Sequence, residues 1–181
     1  YEFPSLEFKK DAEKEGIKFI ILDDYKMIAN NIYVTGTVER TVESYNGPKG
    51  YFLDEKLTIP DIIKDDQSVG MLTDNGWVMM SGCGHSGIIN TAKKLQSIKN
   101  VPVYGAIGGF HLFKATNKTI TQTASWLKEN GLTKFMGGHC TGIYAAETIA
   151  DIIGITRENL SHTAIGSVLT KDLTIIRSSV E

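Results

Sequence analysis

The sequence has few of the features that mark nucleic-acid-binding, membrane or disulfide-rich secreted proteins. Its 19 Lys and Arg residues are balanced by 21 Asp and Glu, and no basic block could neutralise a run of phosphates. The longest apolar runs contain a few residues, far short of the roughly 20 that span a bilayer. Two cysteines in 181 residues do not make a disulfide framework. We therefore expect no nucleic-acid partner, no membrane span and a cytoplasmic location.

The amino terminus also lacks an initiator Met and an apolar signal core. We therefore expect the chain to be one piece of a longer protein. With 41% hydrophobic residues, and no repeat, low-complexity stretch or linker, residues 1–181 are predicted to form a single domain.

The hydrophobic pattern predicts alternating strands and helices, which favours an α/β fold with helices covering a sheet. Asp74, Asn75 and Gly76 lie between two apolar runs and predict a hairpin. The predicted elements are a helix at 5–15, strands at 17–22 and 31–38, the hairpin at 68–82, helices at 87–98, 119–130 and 142–153, strands at 101–107 and 133–136, and a closing hairpin at 164–177.

Three of the four histidines follow apolar strands that end in small residues. His85, His111 and His139 occur in "VMMSGCGH", "VYGAIGGFH" and "KFMGGH". Neighbouring strands of an open α/β sheet end along one edge, so these rings are expected to lie close together. Imidazole binds Zn²⁺ or Fe²⁺, which makes this pattern typical of a metal site. His162 has no such context and is interpreted as a surface or structural residue.

The remaining candidates each leave alternatives open. Cys83 and Cys140 are thiolate ligands, nucleophiles activated by a neighbouring His, or small buried apolar residues. Asp66 is a hard metal ligand, a partner that orients a histidine, or a solvated turn residue. Arg40 is a bidentate holder of an anionic substrate group or part of a surface ion-pair cluster with Glu39 and Glu43.

The segments "TVERTVE", "DDQSVGMLTDNGWVMMSGCGHSGIINT", "YGAIGGFHLF" and "GGHCTGIYAAETI" together resemble one known family. They are similar to the carboxy-terminal two-thirds of the metallo-β-lactamase-fold proteins related to the archaeal dihydropterin ribofuranosyl-aminobenzene phosphate synthase. This resemblance covers nearly the whole chain and implies an αββα sandwich with a metal site at one edge of its sheets.

The resemblance implies roles for the candidate residues. His85 and His139 correspond to metal ligands of the fold, and Cys83 and Asp66 are additional ligand candidates. His111 and Cys140 are implied to line the substrate site, whereas no catalytic residue is implied. The expected cofactor is a divalent metal, zinc first, with iron or manganese as alternatives.

The family's H-x-H-x-D-H motif, which supplies most of its ligands, is absent from the 181 residues. We therefore expect the amino-terminal half of the fold as a partner, in the same or a separate chain. The leading hypothesis is a metal-dependent hydrolase or synthase for a small anionic substrate, such as a phosphorylated pterin precursor, inactive as this piece alone. The alternatives are a non-catalytic assembly module and, less favoured, a cysteine-dependent hydrolase.

Overall fold

The computed structural model describes residues 6–44 and 48–178, with four helices and nine strands in these ranges. The helices are α1 (Leu6–Lys14), α2 (Ile88–Ile98), α3 (Asn117–Glu129) and α4 (Ile143–Ile153). The strands are β1 (Lys26–Ala29), β2 (Ile32–Val34), β3 (Ser68–Thr73), β4 (Gly76–Ser81), β5 (Val103–Gly108), β6 (Lys134–Gly137), β7 (Leu160–Ser161), β8 (Val168–Leu169) and β9 (Ile175–Ile176). This alternation confirms the α/β prediction.

Strands β1 to β7 form one sheet in which the spatial order follows the chain. Neighbours from β1 to β4 are antiparallel, whereas β4 to β7 are parallel. The parallel half needs crossover helices, and α2, α3 and α4 supply them. Strands β8 and β9 form a separate antiparallel pair, as the closing hairpin predicted.

The β3–β4 hairpin occurs where its turn residues predicted it. Thr73 pairs with Gly76, and Asp74 and Asn75 form the two-residue connection. Trp77, the second residue of β4, is fully buried. Its ring meets Tyr33 edge-on at 5.4 Å, and its indole Nε1 donates to the Lys99 carbonyl at 2.9 Å. The hairpin is therefore joined both to β2 and to the end of α2.

The helices form one layer against the parallel strands. Helix α2 packs on β4 and α4 on β6, while α3 contacts both of these helices. Each presents a buried apolar stripe, such as Ala92 and Leu95 of α2 and Ile149 of α4. Thr116 caps the amino terminus of helix α3, and its side chain accepts a hydrogen bond from the Thr119 amide. This layer holds the carboxyl ends of β4, β5 and β6 in fixed positions.

The strand predicted at 17–22 is wrong. These residues are irregular, and their apolar side chains are exposed, with Ile21 at 85%. A β-branched run forms a strand only against a partner, and no described strand pairs with this one. The first strand is instead β1, which lies at the edge of the sheet with Met27 and Ile28 more than half exposed. Within the described ranges, no helix has the length and apolarity needed to cross a membrane.

Candidate metal centre

The parallel strands β4, β5 and β6 end side by side. Ser81 pairs with Gly108, and Gly108 pairs with Gly137, so the next residues of all three strands leave the sheet at one edge. The Gly138 amide donates to the Gly108 carbonyl at 3.0 Å, which keeps two of these loops in contact. The carboxyl ends of parallel strands are a common place for sites in such sheets.

Two of these loops bring a histidine and both cysteines together. The ligand atoms of Cys83, His139 and Cys140 all lie within 4.8 Å of one another. Cys83 Sγ is 3.1 Å from His139 Nε2, and the Cys140 thiol donates to the Cys83 carbonyl at 3.0 Å. In the described part of the chain, this is the one group of three or more metal-binding side chains. Two thiols and an imidazole are a donor set that zinc prefers.

Cys140, which is predicted to line the substrate site, has its thiol in the same cluster as Cys83 and His139. A short 3₁₀ helix, His139–Thr141, turns the chain directly after β6 and places two consecutive residues on the same cluster. The sequence signal for this was the adjacency of His and Cys after a pair of glycines, but adjacency alone does not reveal the tight turn. Burial raises the pKa of the Cys140 thiol above its ordinary value.

A second group of side chains contains three more of the predicted residues. His85 and His111 lie edge-on with ring centroids 4.6 Å apart, and Asp66 Oδ1 is 3.9 Å from His85 Nδ1. The other oxygen of Asp66 accepts the Ser86 amide at 2.8 Å, which anchors the carboxylate. Burial, and then the neighbouring His85, lower the pKa of His111, so this ring is held in the neutral form that binds metals.

The backbone is unusual at two of the histidines. His111 and His139 have φ angles of 49° and 50°, in the left-handed region that residues with a Cβ rarely adopt. Gly109 is in the same loop as His111, and a Cβ there would come within 2.4 Å of the Gly82 carbonyl oxygen and 2.8 Å of Cys140 Sγ. A side chain at position 109 would therefore collide with atoms of the cluster.

A pocket of about 490 Å³ adjoins the second group. His85 and His111 line it, together with Lys114, Glu43 and Gln122. Lys114 was not singled out from the sequence, because a lone lysine after "GGFHLF" carries no motif. Its Nζ lies 5.2 Å from the centre of the Phe113 ring, and that ring meets His111 edge-on at 5.3 Å. Lys114 therefore supplies a positive charge to the pocket that the two imidazoles line.

Arg40 and His162 contact groups outside the cluster of Cys83, His139 and Cys140. The Arg40 guanidinium donates to the carbonyls of Ile62 and Ile63, both at 2.6 Å, and Arg40 is not among the residues that line the pocket. His162 contacts the Gly137 carbonyl at 3.1 Å and the Glu147 carboxylate at 2.9 Å. The interpretation of His162 as a surface or structural residue agrees with these contacts, which tie β6 to α4.

Comparisons with known proteins identify two archaeal relatives. No family model matches the chain. It is 34% identical over 143 residues to the 7,8-dihydropterin-6-methyl-4-(β-D-ribofuranosyl)-aminobenzene-5′-phosphate synthase of Methanocaldococcus jannaschii, a match covering 76% of this chain and 48% of that protein. An uncharacterized protein of the same organism is 31% identical over 151 residues, covering 81% and 54%. The chain thus spans about half the length of the curated relatives it matches.

A solved structure shares the fold. The crystal structure of a metal-dependent hydrolase of the β-lactamase superfamily aligns with a TM-score of 0.62 and 25% identity. The alignment covers 80% of this chain and 54% of that one. The order of strands and helices described above is therefore that of about half of a larger known enzyme.

Proposed function

Because the chain belongs to the metallo-β-lactamase superfamily, in the branch related to the archaeal dihydropterin phosphate synthase, we propose that it carries part of the active site of a metal-dependent enzyme. The observation that supports this most directly is the cluster of Cys83, His139 and Cys140, whose donor atoms lie within 4.8 Å of one another at the end of parallel strands. The substrate is a small anionic molecule, and the reaction is hydrolytic or of the synthase type.

Cys83, His139 and Cys140 are the residues that would hold a divalent metal, with zinc favoured by the two sulfurs. His85 would contribute a further imidazole, and Asp66, fixed by the Ser86 amide, would either bind directly or orient His85. When bound, a divalent ion supplies positive charge that polarises an oxygen of the substrate. Arg40 is not included, because two of its guanidinium nitrogens donate to backbone carbonyls and it does not line the pocket.

The pocket beside His85 and His111 is the proposed substrate site. Its volume of about 490 Å³ falls within the usual range of small-molecule sites, roughly 300–1,000 Å³. Lys114 would attract and orient a phosphate or carboxylate, and the neutral His111 would donate or accept one hydrogen bond without repelling a nearby metal. The relative's name includes a phosphate, and a phosphorylated substrate would match this lysine.

Metal content tests the ligand assignment. We expect His139→Ala and Cys83→Ser each to lower zinc bound per chain after dialysis, measured by plasma mass spectrometry, and His85→Ala to lower it less. His162→Ala is the matched control. His162 follows β7, the strand beside β6, and it contacts the Gly137 carbonyl and the Glu147 carboxylate. Wild-type zinc content in both His139→Ala and Cys83→Ser would refute the proposed site.

We further propose that the remaining ligands come from a segment bearing H-x-H-x-D-H, in the same or a separate chain. The relatives are about twice as long as the matched region. The edge formed by residues 17–28 exposes apolar side chains, among them Ile20 at 59% and Ile28 at 57%, and clusters of this kind mark contact surfaces. This region is therefore where the other half of the fold would pack.

The same edge supports the second candidate function, a non-catalytic assembly module. Light scattering together with metal analysis distinguishes the enzyme from the assembly module. Both are measured on the chain alone and on the chain mixed with a polypeptide carrying the H-x-H-x-D-H segment. A complex with more metal per mole than the chain alone supports the enzyme. A complex whose metal content does not exceed that of its parts favours the module, and an unchanged monomer in both experiments rejects docking at this edge.

A further inference from the structure

The chain has two cysteines, and the fold brings them to one place although 56 residues separate them in sequence. Their sulfurs lie within 4.8 Å of each other, and the Cys140 thiol donates to the backbone carbonyl of Cys83 itself. Both side chains are partly exposed to solvent. Two accessible thiols this close together suit thiol–disulfide exchange, a reaction that metal binding alone does not require.

We propose that Cys83 and Cys140 form a reversible disulfide when no metal is bound, which makes this pair a redox modification site. A disulfide needs sulfurs at about 2.05 Å and Cα atoms within about 7 Å. The present sulfur separation means that one side chain must rotate or one loop must shift by a few ångströms. Gly84 packs closely against Gly109, but no atom lies within 4 Å of a Cβ placed at Gly82. Rotation of the Cys83 side chain is therefore a smaller change than a shift of its loop.

The oxidant belongs to the class of low-molecular-weight disulfides. The Cys83 thiolate attacks one sulfur of the oxidant, forming a mixed disulfide and releasing the first thiolate product. The Cys140 thiolate then attacks Cys83 Sγ, forming the internal disulfide and releasing the second thiolate. Two electrons pass from the protein sulfurs to the oxidant. The Cys83 proton passes to His139 Nε2, which lies 3.1 Å from Cys83 Sγ, the Cys140 proton passes to the first released thiolate, and the imidazolium then protonates the second.

Oxidation would compete with the proposed metal, because one disulfide consumes two of the three donors in the cluster. Disulfide formation itself rests only on the position of the two sulfurs, whereas the competition rests on the proposed function. The two statements therefore fail separately. Reduction by a monothiol or dithiol reverses the step and restores the cluster.

The test uses the metal-free chain treated with glutathione disulfide, quenched with N-ethylmaleimide and weighed intact. We expect the mass of the monomer to fall by two hydrogens and no maleimide to be added. After reduction and a second treatment with N-ethylmaleimide, we expect two maleimides to be added. Cys83→Ser and Cys140→Ser are the matched controls, and each should stop at a glutathione adduct because no second thiol is available. Stable glutathione adducts on both cysteines of the wild type, or only disulfide-linked dimers, would overturn the proposal.

The zinc-loaded chain separates the two parts. If zinc occupies the cluster, we expect it to prevent internal oxidation, and we expect the oxidised chain to bind less zinc than the reduced chain. If the internal disulfide forms equally with and without zinc, and zinc content does not change on oxidation, the disulfide stands and the metal assignment is refuted.

Discussion

Replacing Gly109 by alanine tests whether the tight packing around the cluster positions its donor atoms. A Cβ at this position would lie 2.4 Å from the Gly82 carbonyl oxygen, 2.8 Å from Cys140 Sγ and 3.1 Å from His139 Cδ2. Ordinary contacts begin near 3.5 Å, so the backbone at Gly82 has to move by about 1 Å. That movement carries the neighbouring Cys83 away from the other two donors.

The size of the effect follows from two opposing terms. Inserting one carbon into a closely packed region costs about 1–3 kcal/mol. The smaller conformational freedom of alanine in the unfolded chain returns about 0.4–1 kcal/mol. The middle of the two ranges gives a net loss of roughly 1.3 kcal/mol in the free energy of unfolding, which lowers Tm by about 3–5 °C for a chain of this size.

Gly82→Ala is the matched control, because no atom lies within 4 Å of a Cβ placed there and it adjoins the same cysteine. Urea unfolding and zinc content are to be measured for both variants. Gly109→Ala should lose stability and zinc, whereas Gly82→Ala should retain both. If Gly109→Ala matches the control in both measurements, the packing around Gly109 does not position the donors and the reasoning fails.

Two further substitutions test buried hydrogen bonds near the site. Glu43 accepts the Ile89 and Asn90 amides at 2.7 and 3.1 Å, so Glu43→Ala should cost about 2–4 kcal/mol of unfolding free energy. Burial raises the pKa of Glu43, so the folded state holds the proton more tightly than the unfolded state does. The free energy of unfolding should therefore fall as pH rises above about 4.3. Glu43→Gln should lack this pH dependence in urea unfolding. Thr141 Oγ1 accepts the Phe110 amide at 3.1 Å, and Thr141→Val should cost about 1–3 kcal/mol; an unchanged urea midpoint would contradict it.

The sequence predicted the elements whose signals are local. The β3–β4 hairpin follows from Asp74, Asn75 and Gly76, which suit a tight turn whatever surrounds them. The helices follow from their apolar stripes and from caps such as Gly154, which has a left-handed conformation. The strand at 17–22 was predicted wrongly, because a strand depends on a partner that the sequence of that segment does not contain.

The candidate site was predictable only in part for the same reason. The three histidines could be placed at one edge of the sheet because the carboxyl ends of neighbouring parallel strands lie together. That prediction needs only the order of strands and helices and no knowledge of side-chain contacts. The division into a Cys83 and His139 group and a His85 group depends on side-chain distances that no spacing reveals. Arg40 is predicted to bind an anion or to belong to a surface ion-pair cluster, and the sequence could not reveal its carbonyl partners because they lie more than 20 residues away.

The left-handed backbone at His111 and His139 has a consequence for protein engineering. Glycine adopts such torsions without the steric cost of a Cβ, which is about 1–2 kcal/mol, although the greater freedom of glycine in the unfolded chain offsets part of this gain. Thermal-stability screens of random variants would therefore be biased toward clones that have lost an imidazole. A directed-evolution programme on this chain needs metal retention as a second criterion in every round, or it will enrich stable proteins without a site.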